Sequence, residues 1–325
     1  MSGQPWDLKE QLLAAVKAEG GFVNCHAHFD KAFYITKEGL DQSMVDMEVK
    51  WRMSDDIKRA SSQEQIEERL RTGLDIMVSQ GVKFTATFVD AYDAVGHKAV
   101  DAAVKVKEEY KDKITLVTMP QPLGGLVDPA ARKLFEEIAA KCDVVGGLPS
   151  KERPKDEENI DIMFSIAKNL NKPVWAHIDQ ENNPNERDTE KLLKATVKHG
   201  YQGRVVAIHA VSTSAQPKEY RRDLYKRMAD AGIAVVVCPS AMLSQRQLDQ
   251  YQAPVHNSIA NVPEMLEAGI TVGLGVDNIA DYYLPFVDGD MWIELRMLME
   301  TCRYYVFDEL VKIATTSGRK IFLMK

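Results

Sequence analysis

Hydrophobic and polar residues alternate along this chain in two rhythms. Short and nearly continuous apolar runs, such as residues 144–145, 205–208 and 234–237, have the composition of strands that are buried on both faces of a parallel sheet. Between them lie longer segments in which apolar residues recur every three or four positions, which is typical of amphipathic helices. The pattern therefore predicts strands and helices in regular alternation.

Eight strands are predicted in this way, over residues 21–29, 83–91, 114–121, 144–149, 174–179, 205–211, 233–239 and 271–278. Helices are predicted between them, over residues 58–80, 95–111, 128–141, 156–170, 187–199, 217–232 and 260–268, with a last long helix from about Asp288 onward. Gly81, Gly200 and Gly232 each precede a strand, where a glycine in the left-handed conformation can end a helix.

Two segments lie outside this alternation. Within residues 1–20, the apolar spacing over residues 5–18 predicts an amphipathic N-terminal helix. Residues 34–53 show no clear period, and an excursion of this length in a compact domain is usually a lid or a binding loop. We predict that role for it.

Eight successive strand–helix units predict a (β/α)₈ TIM barrel of the α/β class that forms one domain over residues 1–325. A doubly wound open sheet is the alternative. The dinucleotide-binding form of that fold is disfavoured, because no G-x-G-x-x-G follows the first predicted strand.

Composition narrows the class of protein. The chain has 325 residues and a formal net charge of -7, which argues against a nucleic acid or an anionic membrane as its partner. No apolar run approaches the roughly 20 residues of a membrane span, and the N-terminus is too polar for a signal peptide. The four scattered cysteines have the pattern of reduced thiols, so we expect a cytoplasmic protein.

Polar residues that suit catalysis collect at the predicted carboxyl ends of strands, which is where TIM barrels place their active sites. Four of the seven histidines lie there, whereas His97, His199 and His256 lie elsewhere. The residues at strand ends are His26, His28, Gln121, His177, Asp179, His209 and Asp277.

The nitrogen and oxygen donors of His26, His28, His177 and Asp277 match the ligand preference of Zn²⁺ or Fe²⁺. A bound divalent ion lowers the pKa of water from about 15.7 to about 7, which would generate a hydroxide nucleophile. Asp277 could also accept the proton of that water, and His209 could stabilise the charge that develops during attack. A structural zinc site is disfavoured because such sites are usually rich in cysteine and close in sequence.

An ordered series of motifs resembles the amidohydrolase superfamily, and within it the cytosine deaminase branch that includes N-isopropylammelide isopropylaminohydrolase. The motifs are H-A-H-F-D-K at 26–31, M-P-Q at 119–121, D-V-V-G-G-L-P at 143–149, H-I-D-Q at 177–180, the strand that ends in His209, G-V-D-N at 275–278 and P-F-V-D-G-D-M at 285–291. The resemblance implies one divalent ion on His26, His28, His177 and Asp277, with His209 and Asp277 in catalysis. No lysine at the end of strand four is available to bridge a second ion.

The resemblance also implies the residues that contact a small heterocyclic substrate. Gln121 matches the glutamine that hydrogen-bonds the ring, Lys31 matches a lysine of the triazine-hydrolysing relative, and Tyr283 stands where cytosine deaminase has an aromatic residue. Asn278 and Gln180 are further candidate substrate contacts.

Two departures from the family pattern qualify this prediction. Gln180 occupies the position of a glutamate that carries protons to the leaving group, and Asp179, Glu181 or Lys31 could take over that work. Family members also commonly carry a small β-sandwich domain, which we expect this chain to lack. Homo-oligomer contacts and the N-terminal helix would then cover apolar surface of the barrel.

The predicted function is therefore hydrolysis of a C–N bond in a cytosine-like, triazine-like or cyclic-amide-like heterocycle, through attack by a metal-bound hydroxide. The alternative is a barrel of the same descent that binds a metal or a ligand without catalysis. His209 and Asp277 discriminate between the two, because a site that has lost its chemistry has no reason to retain both.

Overall fold

The computed structural model describes residues 6–45, 47–245, 248 and 259–324. Eight β-strands lie in this described part of the chain. They are β1 Val23–Asn24, β2 Phe84–Asp90, β3 Thr115–Gln121, β4 Val145–Gly147, β5 Val174–Ile178, β6 Val205–His209, β7 Ala234–Val237 and β8 Val272–Leu274.

Helices separate these strands and follow the last of them. The α-helices are α1 Leu8–Ala18, α2 Met47–Ala60, α3 Gln63–Ser79, α4 Lys98–Tyr110, α5 Pro129–Lys141, α6 Asp156–Leu170, α7 Asp188–His199, α8 Lys218–Asp230, α9 Pro239–Leu243, α10 Val262–Glu267, α11 Met291–Cys302, α12 Phe307–Ala314 and α13 Thr316–Phe322. Short 3₁₀ helices span Phe29–Lys31, Lys37–Met44, Pro149–Glu152 and Val211–Ala215.

The strands pair in parallel and in chain order, as β1-β2-β3 and as β4-β5-β6-β7-β8. Backbone hydrogen bonds join the two groups. The amide of Val144 donates to the carbonyl of Thr118 over 3.2 Å, and the amide of Cys25 donates to that of Leu274 over 2.8 Å. These contacts close the ring, and the predicted TIM barrel is confirmed.

Both faces of the strands are buried, which explains the continuous apolar runs. On β6, Val205 and Ala207 belong to one hydrophobic cluster, whereas Val206 and Ile208 belong to a second cluster that also contains Trp175. Successive side chains of a strand point to opposite faces, so a strand covered by helices outside and by other strands inside the barrel must be apolar throughout.

Turn and cap residues behave as their types predict. Gly81, Gly200 and Gly232 have φ of 76°, 69° and 64°, which places each in the left-handed region and confirms the predicted helix ends. The N-terminal helix is also confirmed: Asp7 caps α1 by accepting a hydrogen bond from the amide of Glu10.

The segment predicted to be a lid or a binding loop contains the 3₁₀ helix Lys37–Met44 and the first part of α2, and its predicted role stays a prediction. The helix predicted over 58–80 is really the end of α2 followed by a separate helix, α3. Ser62 causes the separation, because it forms a capping box in which its side chain and that of Gln65 each accept a hydrogen bond from the other's backbone amide.

The chain beyond β8 also differs from prediction. The single long helix expected from Asp288 is divided into α11, α12 and α13, with Arg303 in the left-handed conformation at the end of α11. The helix α9 was not predicted. None of the helices in the described ranges is both long and apolar enough to cross a lipid bilayer.

Candidate active site

Four histidines and one aspartate meet where the barrel strands end. The Nε2 atoms of His26 and His28 each lie 3.2 Å from Oδ1 of Asp277, and Nε2 of His209 lies 3.7 Å from its Oδ2. The Nε2 atoms of His28 and His177 are 3.3 Å apart. All five side chains are buried. The structure therefore brings together the complete set of predicted ligands and the predicted catalytic histidine.

Strand pairing and backbone hydrogen bonds produce this convergence. His26 and His28 lie just beyond β1, and the intervening Ala27 forms a parallel bridge with Asp277. The carbonyl of His26 accepts hydrogen bonds from the amides of Val276 and Asp277, each over 3.0 Å. The ends of the first and last strands are thereby held together, although the histidine pair is not part of a regular strand.

Left-handed backbone at three strand ends turns the chain within this region. Asp179, His209 and Asp277 have φ of 48°, 78° and 64°. Such conformations cost non-glycine residues about 1–3 kcal/mol each and cluster at functional sites. At the end of β6 the left-handed backbone lets His209 join His26 and Asp277. Its neighbour Ile208 packs in the hydrophobic cluster that contains Trp175.

Burial favours the neutral form of His28, His177 and His209. It lowers the pKa of His28 to about 3, with a further contribution from the charge of Lys31, and it lowers the pKa of His209 to about 4. The pKa of His177 is also well below its usual value, because of burial and the neighbouring histidines. Neutral imidazole is the form that binds a metal ion.

The tautomer of His177 also leaves one ring nitrogen free to bind a metal ion. Its Nδ1 lies 3.2 Å from the carbonyl oxygen of Gly147, which can only accept, so Nδ1 carries the hydrogen and Nε2 presents a lone pair. Backbone contacts of this kind orient metal-binding histidines. Nδ1 of His26 is buried without a hydrogen-bond partner, and its Nε2 lies against the carboxylate of Asp277. Buried nitrogen and oxygen ligand atoms that lie this close together fit a divalent cation.

Two three-residue groups could hold such an ion, one formed by His26, His28 and His177 and the other by His26, His209 and Asp277. Within each group the ligand atoms lie within 4.8 Å of one another. His26 belongs to both groups, so the five residues constitute one site.

A second group of buried polar residues adjoins this site. Lys31 Nζ lies 3.0 Å from Oδ1 of Asp90 and donates to Oε1 of Gln121 over 2.6 Å. Lys58 Nζ lies 2.7 Å from the other oxygen of Asp90. The carboxylate of Asp30 accepts from the amide of Asp90 over 2.8 Å. Asp30, Lys31, Lys58 and Asp90 are called the charged cluster below.

The charged cluster fixes the ionisation of its members. Burial acts to lower the pKa of Lys31, but the charges of Asp90 and Asp30 outweigh it and raise that pKa. Burial likewise opposes ionisation of Asp90, and the two lysines nevertheless hold its pKa below the usual range. Burial and the charge of Asp90 raise the pKa of Asp30 to about 7. Lys31 and Asp90 are therefore a stable ion pair.

Asp90 and Lys58 were missed by the sequence analysis. Asp90 ends β2, so the rule that found the other strand-end residues would have found it too. Lys58 could not have been found in that way, because it lies on α2, a helix that was predicted to begin only at this residue.

The predicted proton-carrying role of Asp179 stays a prediction, and the structure shows which groups its carboxylate contacts. Both its oxygens are occupied at the start of α7, where they accept from the amides of Asp188 and Thr189 over 3.0 and 3.1 Å and from the Thr189 hydroxyl over 2.5 Å. The left-handed backbone at Asp179 turns the side chain out of the alternation that the strand pattern predicted. Gln180, the next residue, is half-buried.

The loop after β8 carries the remaining predicted contacts. Asn278 donates to Oδ2 of Asp281 over 2.5 Å, and the amide of Tyr283 donates to its Oδ1 over 2.8 Å. Asp281 therefore organises the loop. Tyr283 is close enough to Lys31 for each to influence the pKa of the other, which places it beside the charged cluster.

Comparison with known proteins identifies relatives across nearly the whole chain. The sequence pattern described as the amidohydrolase family matches residues 20–325. A protein of uncharacterised function from Haemophilus influenzae is 38% identical over 76% of this chain and 91% of its own length. N-isopropylammelide isopropyl amidohydrolase from Pseudomonas sp. is 29% identical over 83% of this chain, which spans 65% of that enzyme.

A solved structure supports the fold. The crystal structure of 5-methylcytosine deaminase from Klebsiella pneumoniae, liganded with 5-fluorocytosine, superposes with a TM-score of 0.86. The match covers 93% of this chain and 74% of the deaminase chain at 23% sequence identity. At that identity the similarity concerns the barrel, and the chemistry must be argued from the site.

Proposed function

This chain belongs to the amidohydrolase family, and from that premise we propose that it is a metal-dependent hydrolase of a C–N bond in a small nitrogen heterocycle. The observation that carries the proposal is the convergence of His26 and His28 on ionised Asp277, with His177 against His28 and His209 against the same carboxylate. The named activity of the triazine relative supports the substrate class.

His26, His28, His177 and Asp277 would hold one divalent ion, Zn²⁺ or Fe²⁺. When bound, such an ion supplies Lewis acidity and lowers the pKa of water. The chain's contribution is to keep these ligands neutral or anionic and aimed at one point before the ion arrives, since burial disfavours the imidazolium form.

Asp277 and His209 manage the protons of the reaction. Although burial opposes ionisation of Asp277, the adjacent histidines keep the carboxylate ionised, and it would take the proton of the attacking water as that proton becomes more acidic during attack. A C–O bond then forms at the sp² carbon of the ring. As the C–N bond breaks, that proton passes to the leaving nitrogen, and His209 stabilises the charge that develops on the tetrahedral carbon's oxygen.

Lys31 acts as a fixed positive charge in this account. Its ion pair with Asp90 keeps it protonated, and a group with so high a pKa is a poor proton carrier near neutral pH. The work that Gln180 cannot do is therefore assigned to Asp277 and His209, while Lys31 and Gln121 bind the substrate.

The proposal is tested by incubating the protein with a panel of pyrimidines, triazines and cyclic amides. Turnover is measured as release of ammonia or amine. We expect metal-dependent turnover of at least one compound, loss of that turnover in D277N, and retention of it in H199A. His199 is a matched control because it bonds to Asp161 on the outer helices, over 3.0 Å. Binding of a compound without turnover by metal-loaded protein would favour the non-catalytic barrel.

A further inference from the structure

A cavity lies at the end of the barrel opposite to the candidate active site. Its volume is about 520 Å³, which is in the range of small-molecule binding sites. Val144, Pro173 and Arg204 line it and come directly before β4, β5 and β6, so the cavity lies where these strands begin. The residues of the candidate active site lie where strands end, and a molecule in this cavity would therefore occupy a separate site.

Two buried N–H groups at the cavity have no partner. Trp175 is 1% exposed and lines the cavity, and its Nε1 is buried without a hydrogen-bond partner. Nε of Arg204 is buried without a partner as well. A buried tryptophan N–H usually finds an acceptor, because a buried donor without one is costly. Both atoms are donors only, so the group that is missing at this place is an acceptor.

Strand pairing places the two donors on neighbouring strands. Trp175 of β5 pairs with Val206 of β6, and the amide of Val174 donates to the carbonyl of Arg204 over 3.0 Å. Arg204 precedes Val206 by two residues, so its side chain leaves the backbone on the same face as that of Val206. Val206 and Trp175 belong to one hydrophobic cluster inside the barrel. The two donors therefore start from the same face of adjacent strands.

The positive charge at the cavity is not matched by a carboxylate. The guanidinium of Arg204 lies over the ring of Tyr201, with Cζ 4.8 Å from its centroid, and donates from Nη2 to two oxygens of Asn171 over 3.1 Å each. The ammonium of Lys172 donates to two backbone carbonyls of α5 over 2.8 Å each. All these acceptors are neutral, and within the described ranges neither cation forms a salt bridge. An anion would thus meet two unmatched positive charges.

Asp143 also lines the cavity, but its charge is already matched. Its two oxygens lie 2.5 and 2.7 Å from Nζ of Lys107, and Oδ2 accepts from the amide of Thr118 over 2.7 Å. The repulsion between Asp143 and a bound anion is therefore reduced by Lys107.

We propose that this cavity binds a small carboxylic acid with an apolar body. The carboxylate would accept from Nε of Arg204 and from Nε1 of Trp175, one oxygen for each donor, because such charge-assisted hydrogen bonds are strong and the guanidinium suits a carboxylate. The apolar body would pack against Val117, Ile321 and Phe322. The half-buried ring of Phe322 lies edge-on to Trp175 at 5.9 Å between centroids and would turn to admit the acid. The inference does not depend on the proposed function.

The inference is tested with 3-phenylpropionate and its amide, 3-phenylpropionamide, which have nearly the same shape and differ in charge. Binding of each to metal-loaded, full-length protein would be measured by titration calorimetry in a buffer without other carboxylates. We expect the acid to bind with a Kd below about 1 mM. The amide should bind at least about tenfold more weakly, because it loses the charge-assisted hydrogen bonds.

Two variants assign the binding to the cavity and not to the metal of the active site. R204Q removes the guanidinium and should weaken binding of the acid by about tenfold or more. W175F keeps an aromatic ring but removes the N–H, and it should weaken binding by about threefold or more. R222Q is the matched control, because Arg222 pairs with Glu267 over 2.8 Å at the surface of α8. It should leave the affinity unchanged.

Each remaining outcome would overturn the inference. A Kd of the acid above about 1 mM, or equal binding of acid and amide by the wild-type protein, would show that the cavity does not select a carboxylate. An unchanged affinity in R204Q would place the acid elsewhere, and this partly exposed position decides the matter even if W175F does not fold. An unchanged affinity in folded W175F would refute the role given to the indole N–H.

Discussion

Replacing Asp90 by asparagine tests the charged cluster as a structural unit. The substitution conserves shape but removes the negative charge that two buried ammonium groups share. The side chains of Lys31 and Lys58 are each 6% exposed, so water cannot compensate for the loss. Breaking a buried ion pair from one side costs about 3–5 kcal/mol, and we expect a decrease of that size in the free energy of unfolding of D90N.

The pH dependence of this decrease has a definite sign. In the wild-type protein the pKa of Lys31 is raised above its ordinary value of 10.5, so its contribution is fully present below that value. In D90N the charge of Asp90 no longer opposes burial, so the pKa of the same lysine falls. The penalty is then largest near neutral pH and declines as pH rises toward 10.5, where the unfolded chain also loses the proton.

Urea denaturation followed by circular dichroism, at about pH 7 and at about pH 9.5, measures both effects. The difference between wild type and D90N should narrow at the higher pH. D101N is the matched control, since Asp101 pairs with Lys141 over 2.6 Å while both side chains are more than two-fifths exposed. It should cost at most about 1 kcal/mol. A loss in D90N no larger than that of D101N, or one that does not change with pH, would refute the reasoning.

Three further predictions concern binding, packing and titration. K31M should retain the metal content of the wild type while turnover falls by at least about tenfold, as measured by elemental analysis and amine release; equal losses of both would contradict its assignment to substrate binding. G146A should lose about 3 kcal/mol or more in urea denaturation, because a Cβ there would lie 2.0 Å from the carbonyl oxygen of Pro120. In G39A the nearest atom is 3.4 Å away, and comparable losses in both variants would rule out the steric explanation. Burial raises the pKa of Glu294 from 4.5 to about 8, so wild-type stability should decline as pH rises through that interval, and E294Q should show a shallower decline in the same measurement; parallel curves would show that Glu294 does not titrate there.

The alternation of strands and helices was predictable because their local patterns agreed with the architecture. The apolar run of β6 and the glycines that end helices needed no knowledge of the rest of the chain. The 3₁₀ helix Lys37–Met44 and most of α2 were not predicted, since residues 34–53 have no clear apolar period. The break before α3 had a local signal, the capping box at Ser62, that was overlooked.

The candidate site was predictable to a similar degree. The strand-end rule found His177, His209 and Asp277, and the same rule applied to β2 would have added Asp90. It did not reveal the contacts that Asp179 makes with the start of α7, because the left-handed backbone at this residue is not visible in the alternation of the sequence. Lys58 reaches the cluster from a helix, and its partner is known only once the chain is folded.

The central claim is that one divalent ion, held by the converging histidines and Asp277, is required for hydrolysis of a C–N bond. Its most direct test is to strip the protein with a chelator, add Zn²⁺ or Fe²⁺ in small increments, and follow release of ammonia or amine from a substrate found in the panel. We predict no release from the stripped protein and a rate that rises until one ion is bound per chain. A rate that is the same with and without metal, or a metal-saturated protein that turns over none of the compounds, would contradict the claim.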